Sequence, residues 1–423
     1  MATHPTTTPV PALTSYEKFV VGILAFLQFT IILDFMILSP LGAILMPTLN
    51  ITPSQFGFVV SVYAFSAGIS GFLSAGFADR FDRKRLLLFF YAGFILGTLF
   101  CGLAPTYHLL VLARMITGLF GGVIGSIVLA IATDLFPLET RGRVMGVVQS
   151  AFAASQVMGL PLGLYISSLW GWHAPFILIV VISSLVGGLI IARLRPIDGH
   201  LKLQTERKAV RHLIQTVLKP RHQIGFLTMA LLATGGFMLM PFGSAFTVHN
   251  LGIPFDRLPL IYMITGTCTI IAGPLLGRAS DRHGKFPVFF FGSLLSITIV
   301  LIYTRLGPTP FWAVTLLSAL LFIGITARII SSSALITAVP APADRGAFMA
   351  VNASIQQISG GLAAGLAGMI VIPRPDGSLG RYEVLGYVVT AAMLFVLAMM
   401  SLVNRMVTGK RIPPPSVTLP AAG

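Results

Sequence analysis

The chain has 423 residues, of which 55% are hydrophobic and only 10% are charged, and its mean hydropathy is +0.90. This composition excludes a soluble globular protein of this size and indicates one that crosses a membrane many times. The net charge of +15 is large enough for a nucleic-acid-binding protein, but its distribution along the chain argues against nucleic acid as a partner.

Twelve apolar runs follow one another along the chain. Each is long enough to cross the hydrocarbon region of a bilayer, which takes about 20 helical residues. Before the first run, Met1 to Glu17 are polar and rich in Thr and Pro, so no cleavable signal peptide is expected. The predicted spans are 19–47, 53–78, 85–104, 108–136, 143–169, 172–194, 223–249, 257–280, 286–306, 309–339, 346–373 and 383–405.

The basic residues are distributed unevenly between the two sides of the membrane. When the loops are assigned alternately to each side, most of the 28 Lys and Arg residues fall on the side that holds both termini. This positive-inside asymmetry predicts cytoplasmic termini and a multi-pass protein of a bacterial-type cytoplasmic (inner) membrane. The exceptions at or near the opposite side are Arg257, Arg305, Arg374 and Arg381.

The first predicted helix carries an acidic residue, Asp34, inside the apolar run from Ile31 to Leu38. Of the 13 acids in the chain, it is the only one predicted deep in the membrane. A charged side chain at that depth is costly, so it usually faces a cavity or a partner. One interpretation is a proton-coupling or cation-binding acid. The other is a structural ion pair or a hydrogen-bonded acid.

A charge-rich segment follows the second predicted helix, and a similar segment follows the eighth. In each copy an acid and a base stand four residues apart, so they can face each other on a helical turn. The turns at Arg141-Gly142 and Arg345-Gly346 repeat in the same order, which indicates two copies of one six-helix unit. The two charged segments read Asp79-Arg80-Phe81-Asp82-Arg83 and Asp281-Arg282-His283-Gly284-Lys285.

The fourth predicted helix contains Arg114, followed by glycines that permit close helix packing. Asp34 lies about 10 Å, and Arg114 about 9 Å, below the outer ends of their helices at 1.5 Å per residue. Because these depths match, the two side chains could pair if the first and fourth helices are in contact.

Residues of other helices are candidates for the lining of a substrate cavity. Arg328, in the tenth helix, could bind an anionic substrate or donate to backbone carbonyls at a cytoplasmic gate. The glutamines of the eleventh helix could line the cavity or join that helix to its neighbours. Met238 stands in a run that is more often packing than substrate contact. The candidates are Gln28, Met238, Arg328, Asn352, Gln356 and Gln357.

The second charged segment resembles the loop signature of the major facilitator superfamily, and the resemblance covers nearly the whole chain. The first copy departs from it at Ala75 and Asp82, where the signature has glycines. The fifth helix resembles the Gly-Pro motif of the 12-helix drug/metabolite:proton antiporter branch, through Gly159, Pro161 and Gly163. The signature residues are Gly277, Asp281, Arg282, Gly284 and Lys285, with Asp79, Arg80 and Arg83 in the first copy.

The resemblance implies that the charged segments latch the two halves together on the cytoplasmic side while the cavity faces outward. The latch is expected to be stronger on the Asp79 side, because the tenth helix ends in Val339 and Pro340 where the fourth ends in Asp134. The alternative is that these charges only set the topology. The latch candidates are Asp79, Arg80, Arg83, Asp134, Asp281, Arg282 and Lys285.

Together these features predict an all-α polytopic membrane protein with 12 transmembrane helices in two pseudo-symmetric six-helix bundles. The predicted regions are an N-terminal bundle at 1–198, a basic cytoplasmic linker at 199–222, and a C-terminal bundle with a disordered tail at 223–423.

The expected function is secondary transport: proton-coupled export (antiport) of small amphipathic drugs or metabolites by alternating access, with Asp34 and Arg114 coupling the proton. The alternative is a symporter or facilitator for uptake of a small organic anion or other solute. No nucleotide-binding Gly-rich loop and no His, Cys or carboxylate cluster at membrane depth is found, so an enzyme is not expected.

The energy source is therefore expected to be a proton gradient, with no cofactor and no metal. Cys101 and Cys268 lie in apolar runs of different halves, which suggests neither a disulfide nor a metal site. The expected partners are a small-molecule substrate and the lipid bilayer, and the chain is expected to be a monomer.

Overall fold

The computed structural model describes residues 13–74, 77–199, 201, 215–341 and 344–409, apart from the side chains at 79, 138 and 139. Long helices make up most of this part of the chain. They are α1 (Ser15–Leu49), α2 (Pro53–Ser74), α3 (Arg83–Leu103), α4 (Tyr107–Leu135), α5 (Leu138–Ala154 and Leu160–Trp170), α6 (Ala174–Arg193), α7 (Pro220–Leu239 and Gly243–His249), α8 (Leu258–His283), α9 (Lys285–Tyr303), α10 (Phe311–Thr337), α11 (Arg345–Ile370) and α12 (Tyr382–Thr408).

In the described part of the chain, eleven helical segments are long and apolar enough to cross a membrane. α11 is also long enough but is not among the eleven, because Asn352, Gln356, Gln357 and several serines and glycines lower its mean hydropathy. The twelve predicted spans therefore correspond to twelve helices, which confirms the predicted fold class.

Local chemistry explains where two of the helices begin. α1 starts at a capping box, in which the Glu17 N–H donates to Thr14 Oγ1 at 3.2 Å and the Thr14 N–H donates to Glu17 Oε2 at 2.8 Å. Asp82 caps α3 by accepting from the Arg85 N–H at 2.9 Å. Its other carboxylate oxygen accepts from the Ile197 N–H at 2.9 Å, which fixes the segment after α6 to the start of α3.

Two helices contain an irregular turn. α5 passes through a π-helical turn at Ser155–Gly159, where the Leu160 N–H donates to Ser155 O. The next residue, Pro161, has no N–H to donate, which favours such a local change of hydrogen-bond register. α7 passes through a 3-10 turn at Met240–Phe242, which likewise contains a proline.

A short hairpin follows α11, and the sequence did not predict it. β1 (Ile372–Pro373) pairs antiparallel with β2 (Leu379–Gly380). Gly377 makes the turn with a φ of +80°, a conformation that side chains rarely adopt. Asn250, after α7, exchanges two hydrogen bonds of 2.9 Å with the backbone of Leu379. The eleventh predicted span, which included β1, therefore extended too far.

Helices α1–α6 and α7–α12 form two halves, which meet where α2 packs on α11, α5 on α8, and α1 on α7. We call the side on which α1 begins and α12 ends the terminus side, and the other the opposite side. α2 and α11 approach closely at Gly57, where a Cβ would lie 2.7 Å from Ala364 O and 3.2 Å from Gly368 Cα.

Hydrogen bonds close the opposite side between the halves. Ser244 Oγ of α7 donates to Ser39 O of α1 at 3.0 Å, and His249 Nε2 donates to Ala43 O at 3.1 Å. These bonds join the outer part of α1 to the outer part of α7, so a solute could not pass between these two helices in the conformation shown.

Candidate functional site

Asp34 of α1 is fully buried and pairs with Arg114 of α4. Arg114 Nη1 lies 2.9 Å from Asp34 Oδ2 and donates to the main-chain oxygen of Asp34 at 3.3 Å. The other carboxylate oxygen accepts from Thr98 Oγ1 of α3 at 3.2 Å. The exposed fractions of Asp34 and Arg114 are 0% and 1%. Side chains of three helices therefore meet at one carboxylate, and the predicted match in depth corresponds to a direct contact.

The guanidinium of Arg114 is also held on its flat face. Its Cζ lies 4.2 Å from the centroid of the Tyr63 ring of α2, a distance typical of a cation–π contact. Among the described residues, Arg114 Nε has no hydrogen-bond partner. One donor of this buried guanidinium is therefore unused in the conformation shown.

Two glycines allow the helices around Arg114 to approach closely. A Cβ at Gly97 of α3 would lie 2.6 Å from Thr117 Oγ1 of α4, and a Cβ at Gly118 of α4 would lie 2.5 Å from Tyr63 O of α2. Any larger residue would push α2 or α3 away from α4. The glycines therefore set the distances at which Thr98 and Tyr63 reach the ion pair.

The predicted fifth-helix motif packs against α1 beside Asp34. A Cβ at Gly159 would lie 2.7 Å from Leu33 Cδ1, and one at Gly163 would lie 2.6 Å from Ile37 Cδ1. These contacts lie on the two sides of Asp34 along α1. The motif therefore shapes the surroundings of the acid, and its relation to antiport stays a prediction.

The residue after Asp34 connects the ion pair to the C-terminal half. The Phe35 ring lies 5.2 Å from the Tyr63 ring and 5.7 Å from the Phe237 ring of α7, measured between centroids. Phe237 also faces α11, since a Cβ at Gly360 would lie 2.8 Å from its Cδ1. Movement of α7 or α11 would therefore be transmitted directly to the neighbours of Asp34.

The predicted cavity residues differ in how deeply they are buried. Met238 is 2% exposed and belongs to the main hydrophobic core. Asn352 is equally buried, and its Oδ1 has no hydrogen-bond partner in the described part of the chain. Gln28, Gln356 and Gln357 are half-buried. A role in substrate binding stays a prediction for all five.

Arg328 faces α9 within the C-terminal half. Its Cζ lies 5.8 Å from the centroid of the Phe289 ring, and a Cβ at Gly292 would lie 3.4 Å from its backbone nitrogen. The side chain is buried at 4% exposure, and its Nε and Nη2 have no hydrogen-bond partner among the residues described. No backbone carbonyl of the described residues accepts from these two donors, so the contact with a cytoplasmic gate stays a prediction.

The first charged segment joins two helices of the N-terminal half. Arg83 is buried, lies 3.0 Å from Asp134 Oδ2 at the end of α4, and donates to Ala78 O at 3.0 Å. Arg80 is exposed. The side chain of Asp79 lies outside the described residues, so its part in a latch between the halves stays a prediction.

The second charged segment makes a local contact at the surface. Lys285 pairs with Asp281 one turn away, as the four-residue spacing predicted, and the Asp281 side chain is 76% exposed. Arg282 is exposed as well. The two segments therefore differ in burial, and the latch function, with its expected asymmetry, stays a prediction for both.

Thr98, Tyr63 and Ser244 surround the site or close the opposite side, and the sequence analysis missed all three. Thr98 could have been found by the depth argument used for Arg114, because it lies five residues from the outer end of α3, at a depth of about 8 Å. Tyr63 and Ser244 carry no comparable signal, because depth does not show which way a side chain points.

The arrangement of helices matches that of known transporters. A crystal structure of a bacterial homolog of the human lysosomal transporter Spinster, in an inward-facing and unoccupied conformation, covers 95% of this chain and 100% of its own, with a TM-score of 0.76 and 17% identity. At this identity the similarity shows the fold alone.

Sequence comparisons extend the match. An uncharacterised MFS-type transporter of Bacillus subtilis, YceJ, is 26% identical over 63% of this chain and 68% of its own. A staphyloferrin B transporter of Staphylococcus aureus is 27% identical over 89% of each. The family model of the Major Facilitator Superfamily matches residues 24–364 and 225–421. With twelve helices in two halves and a match over most of its length, the chain belongs to the Major Facilitator Superfamily of membrane transporters, which are not enzymes.

Proposed function

We propose that this transporter is a proton-coupled exporter, an antiporter of small amphipathic drugs or metabolites that works by alternating access. Its termini lie in the cytoplasm, so the seam between α1 and α7 on the opposite side closes the outward path in the conformation shown. The energy source is the proton gradient, with no cofactor. The observation that carries the proposal is the ion pair of Asp34 and Arg114, buried between α1 and α4.

The partners of Asp34 explain how a proton and a substrate could be coupled. Thr98 and Arg114 belong to α3 and α4, so the contacts of the Asp34 carboxylate join three helices. While Arg114 contacts Asp34, its positive charge balances the negative charge of the ionised carboxylate. A lone carboxylate in the membrane is costly, so separation of the pair favours the neutral, protonated acid. Phe35 and Phe237 give the C-terminal half a contact through which its movement could separate the pair.

A second candidate is uptake of a small organic anion, by symport or facilitated diffusion. The unused donors of Arg328 favour it, since they provide positive charge without a described acid. The staphyloferrin B transporter is compatible with either candidate, because its name does not state a direction.

The two candidates differ in the direction of proton movement. Purified protein in proteoliposomes with an acidic interior is given a panel of cationic, anionic and neutral amphiphiles, while the internal pH is recorded. Antiport predicts that protons leave the interior as substrate enters. Protons that move together with the substrate would overturn export by antiport and support symport. Counterflow of labelled substrate without any proton movement would support a facilitator.

A further inference from the structure

Arg328 is a buried cation without a described counter-charge. Its side chain is 4% exposed, and no carboxylate within 4.0 Å pairs with it in the described part of the chain. The acids of the C-terminal half all lie in loops or at helix ends, and they are Asp256, Asp281, Asp344, Asp376 and Glu383. An uncompensated charge in the membrane is costly, so it usually has a functional reason.

The unused donors of Arg328 share one edge of the guanidinium. Nε and Nη2 both lack a hydrogen-bond partner among the residues described, and their N–H groups point the same way from the planar group. This edge matches the two oxygens of a carboxylate, which accepts two parallel hydrogen bonds from it.

The surroundings bring the guanidinium of Arg328 against α9. Gly292 of α9 lets α10 approach closely, since a Cβ there would lie 2.7 Å from Ala327 Cβ. Phe289, one turn before it, contacts the guanidinium. Ser293 is fully buried on the same part of α9, and its Oγ also has no partner among the described residues. Ser293 is four residues from Phe289, so its unused hydroxyl lies on the face of α9 whose ring contacts the guanidinium.

We propose that Arg328 and Ser293 form a subsite between α9 and α10 for the carboxylate of a small amphipathic solute. The subsite adds a ligand class to the proposed function, and it depends on neither the direction of transport nor proton coupling. Nε and Nη2 are closed to solvent in the conformation shown, so the carboxylate enters when the surrounding helices move, as alternating access requires.

The test uses 3-phenylpropionate and its neutral isostere 3-phenylpropanamide as probes, with the purified full chain in phosphatidylcholine nanodiscs and no proton gradient. Affinities are measured by tryptophan fluorescence. We expect the wild-type protein to prefer the carboxylate by about tenfold, the size of one charge-assisted bidentate contact. Arg328→Met should remove the preference, and Arg328→Lys should restore only part of it, because ammonium lacks the paired donors. Arg345→Gln, at an exposed arginine, is the matched control.

The unfolding temperature of the protein without ligand distinguishes a ligand-binding role of Arg328 from a structural role. If the ligand supplies the missing counter-charge, Arg328→Met should unfold at an equal or higher temperature than the wild type, because it removes an uncompensated buried cation. A lower unfolding temperature would overturn the proposal, and so would an unchanged carboxylate preference. Stabilisation of the wild type by phosphatidic acid but not by phenylpropionate would overturn it in favour of a lipid headgroup. None of the outcomes that overturn the subsite would contradict proton antiport, which is tested separately by recording the internal pH.

Discussion

Arg114 Nη1 contacts both a side-chain and a main-chain oxygen of Asp34, at 2.9 and 3.3 Å, inside the N-terminal half. The contact therefore fixes the position of the acid on α1 as well as balancing its charge. Because no other described acid lies at this depth, the pair is the place where protonation would most directly alter contacts between helices.

The first prediction concerns coupling. Asp34→Asn imitates the protonated acid, so it should abolish accumulation of substrate against a gradient while energy-independent exchange continues. Both activities are measured in the same proteoliposomes over a range of pH. Asp256→Asn, at an exposed acid before α8, is the control and should keep both. If Asp34→Asn still accumulates substrate, Asp34 is a structural acid and coupling resides elsewhere.

The second prediction concerns stability. Arg114→Gln leaves the Asp34 carboxylate buried without its counter-charge, and the loss of one member of a buried pair costs about 3–5 kcal/mol. In the double variant with Asp34→Asn, no charge remains, so the loss should be clearly smaller than the sum of the two single losses. Unfolding in one detergent measures all three variants. Strictly additive losses would show that the two residues do not stabilise each other.

The third prediction concerns the contact between the halves. Gly57→Ala places a methyl group 2.7 Å from a backbone oxygen of α11, so α2 and α11 must separate near the opposite side. Gly22→Ala, where a Cβ would have no atom of another helix within 4 Å, is the matched control. Ala43→Cys, at a residue that is 2% exposed in the closed seam, reports opening through its reaction with an impermeant thiol reagent.

For this experiment the two native cysteines, Cys101 and Cys268, are replaced by serine. We expect faster labelling at position 43 in the Gly57→Ala protein than in the Gly22→Ala protein. Equal labelling rates would mean that the seam between α1 and α7 stays closed independently of the distance between α2 and α11.

The fourth prediction compares the two charged segments. Arg83→Gln removes a buried ion pair between α3 and α4 and should cost about 1.5–3 kcal/mol, whereas Lys285→Gln removes an exposed pair worth at most about 1 kcal/mol. Transport should fall more in the first variant, with membrane insertion retained in both. Equal transport in the two variants would reduce the first segment to a determinant of topology.

The depth of a side chain in the membrane was predictable from the sequence, whereas the direction in which it points from the helix axis was not. The spans, the duplication and the contact of Asp34 with Arg114 all depend on position along the chain and on helix rise, which the sequence provides directly. Arg328 was assigned to the tenth helix, but its orientation toward α9 depends on the close approach at Gly292, which a single helix does not reveal.

The irregular elements, which are the π-helical turn of α5 and the hairpin of β1 and β2, were not predicted for a related reason. Pro161 was recognised as part of a motif, but a proline is compatible with several local changes of hydrogen-bond register, so the sequence did not specify the π-helical turn before it. Ile372 and Pro373 continue an apolar run, so nothing in their composition separated β1 from the predicted span. Asn250 holds the neighbouring strand from a distant part of the chain, which is a tertiary effect.

The polarity of α11 has a consequence for how this protein is assembled. A segment that carries Asn352, Gln356 and Gln357 gains less from entering lipid than the other helices do. Its glycine-rich face fits α2, which is synthesised long before it, and another face packs on α7. α11 should therefore enter the bilayer together with an already assembled N-terminal half, so that completion of the first six helices becomes a checkpoint in the biogenesis of the second six.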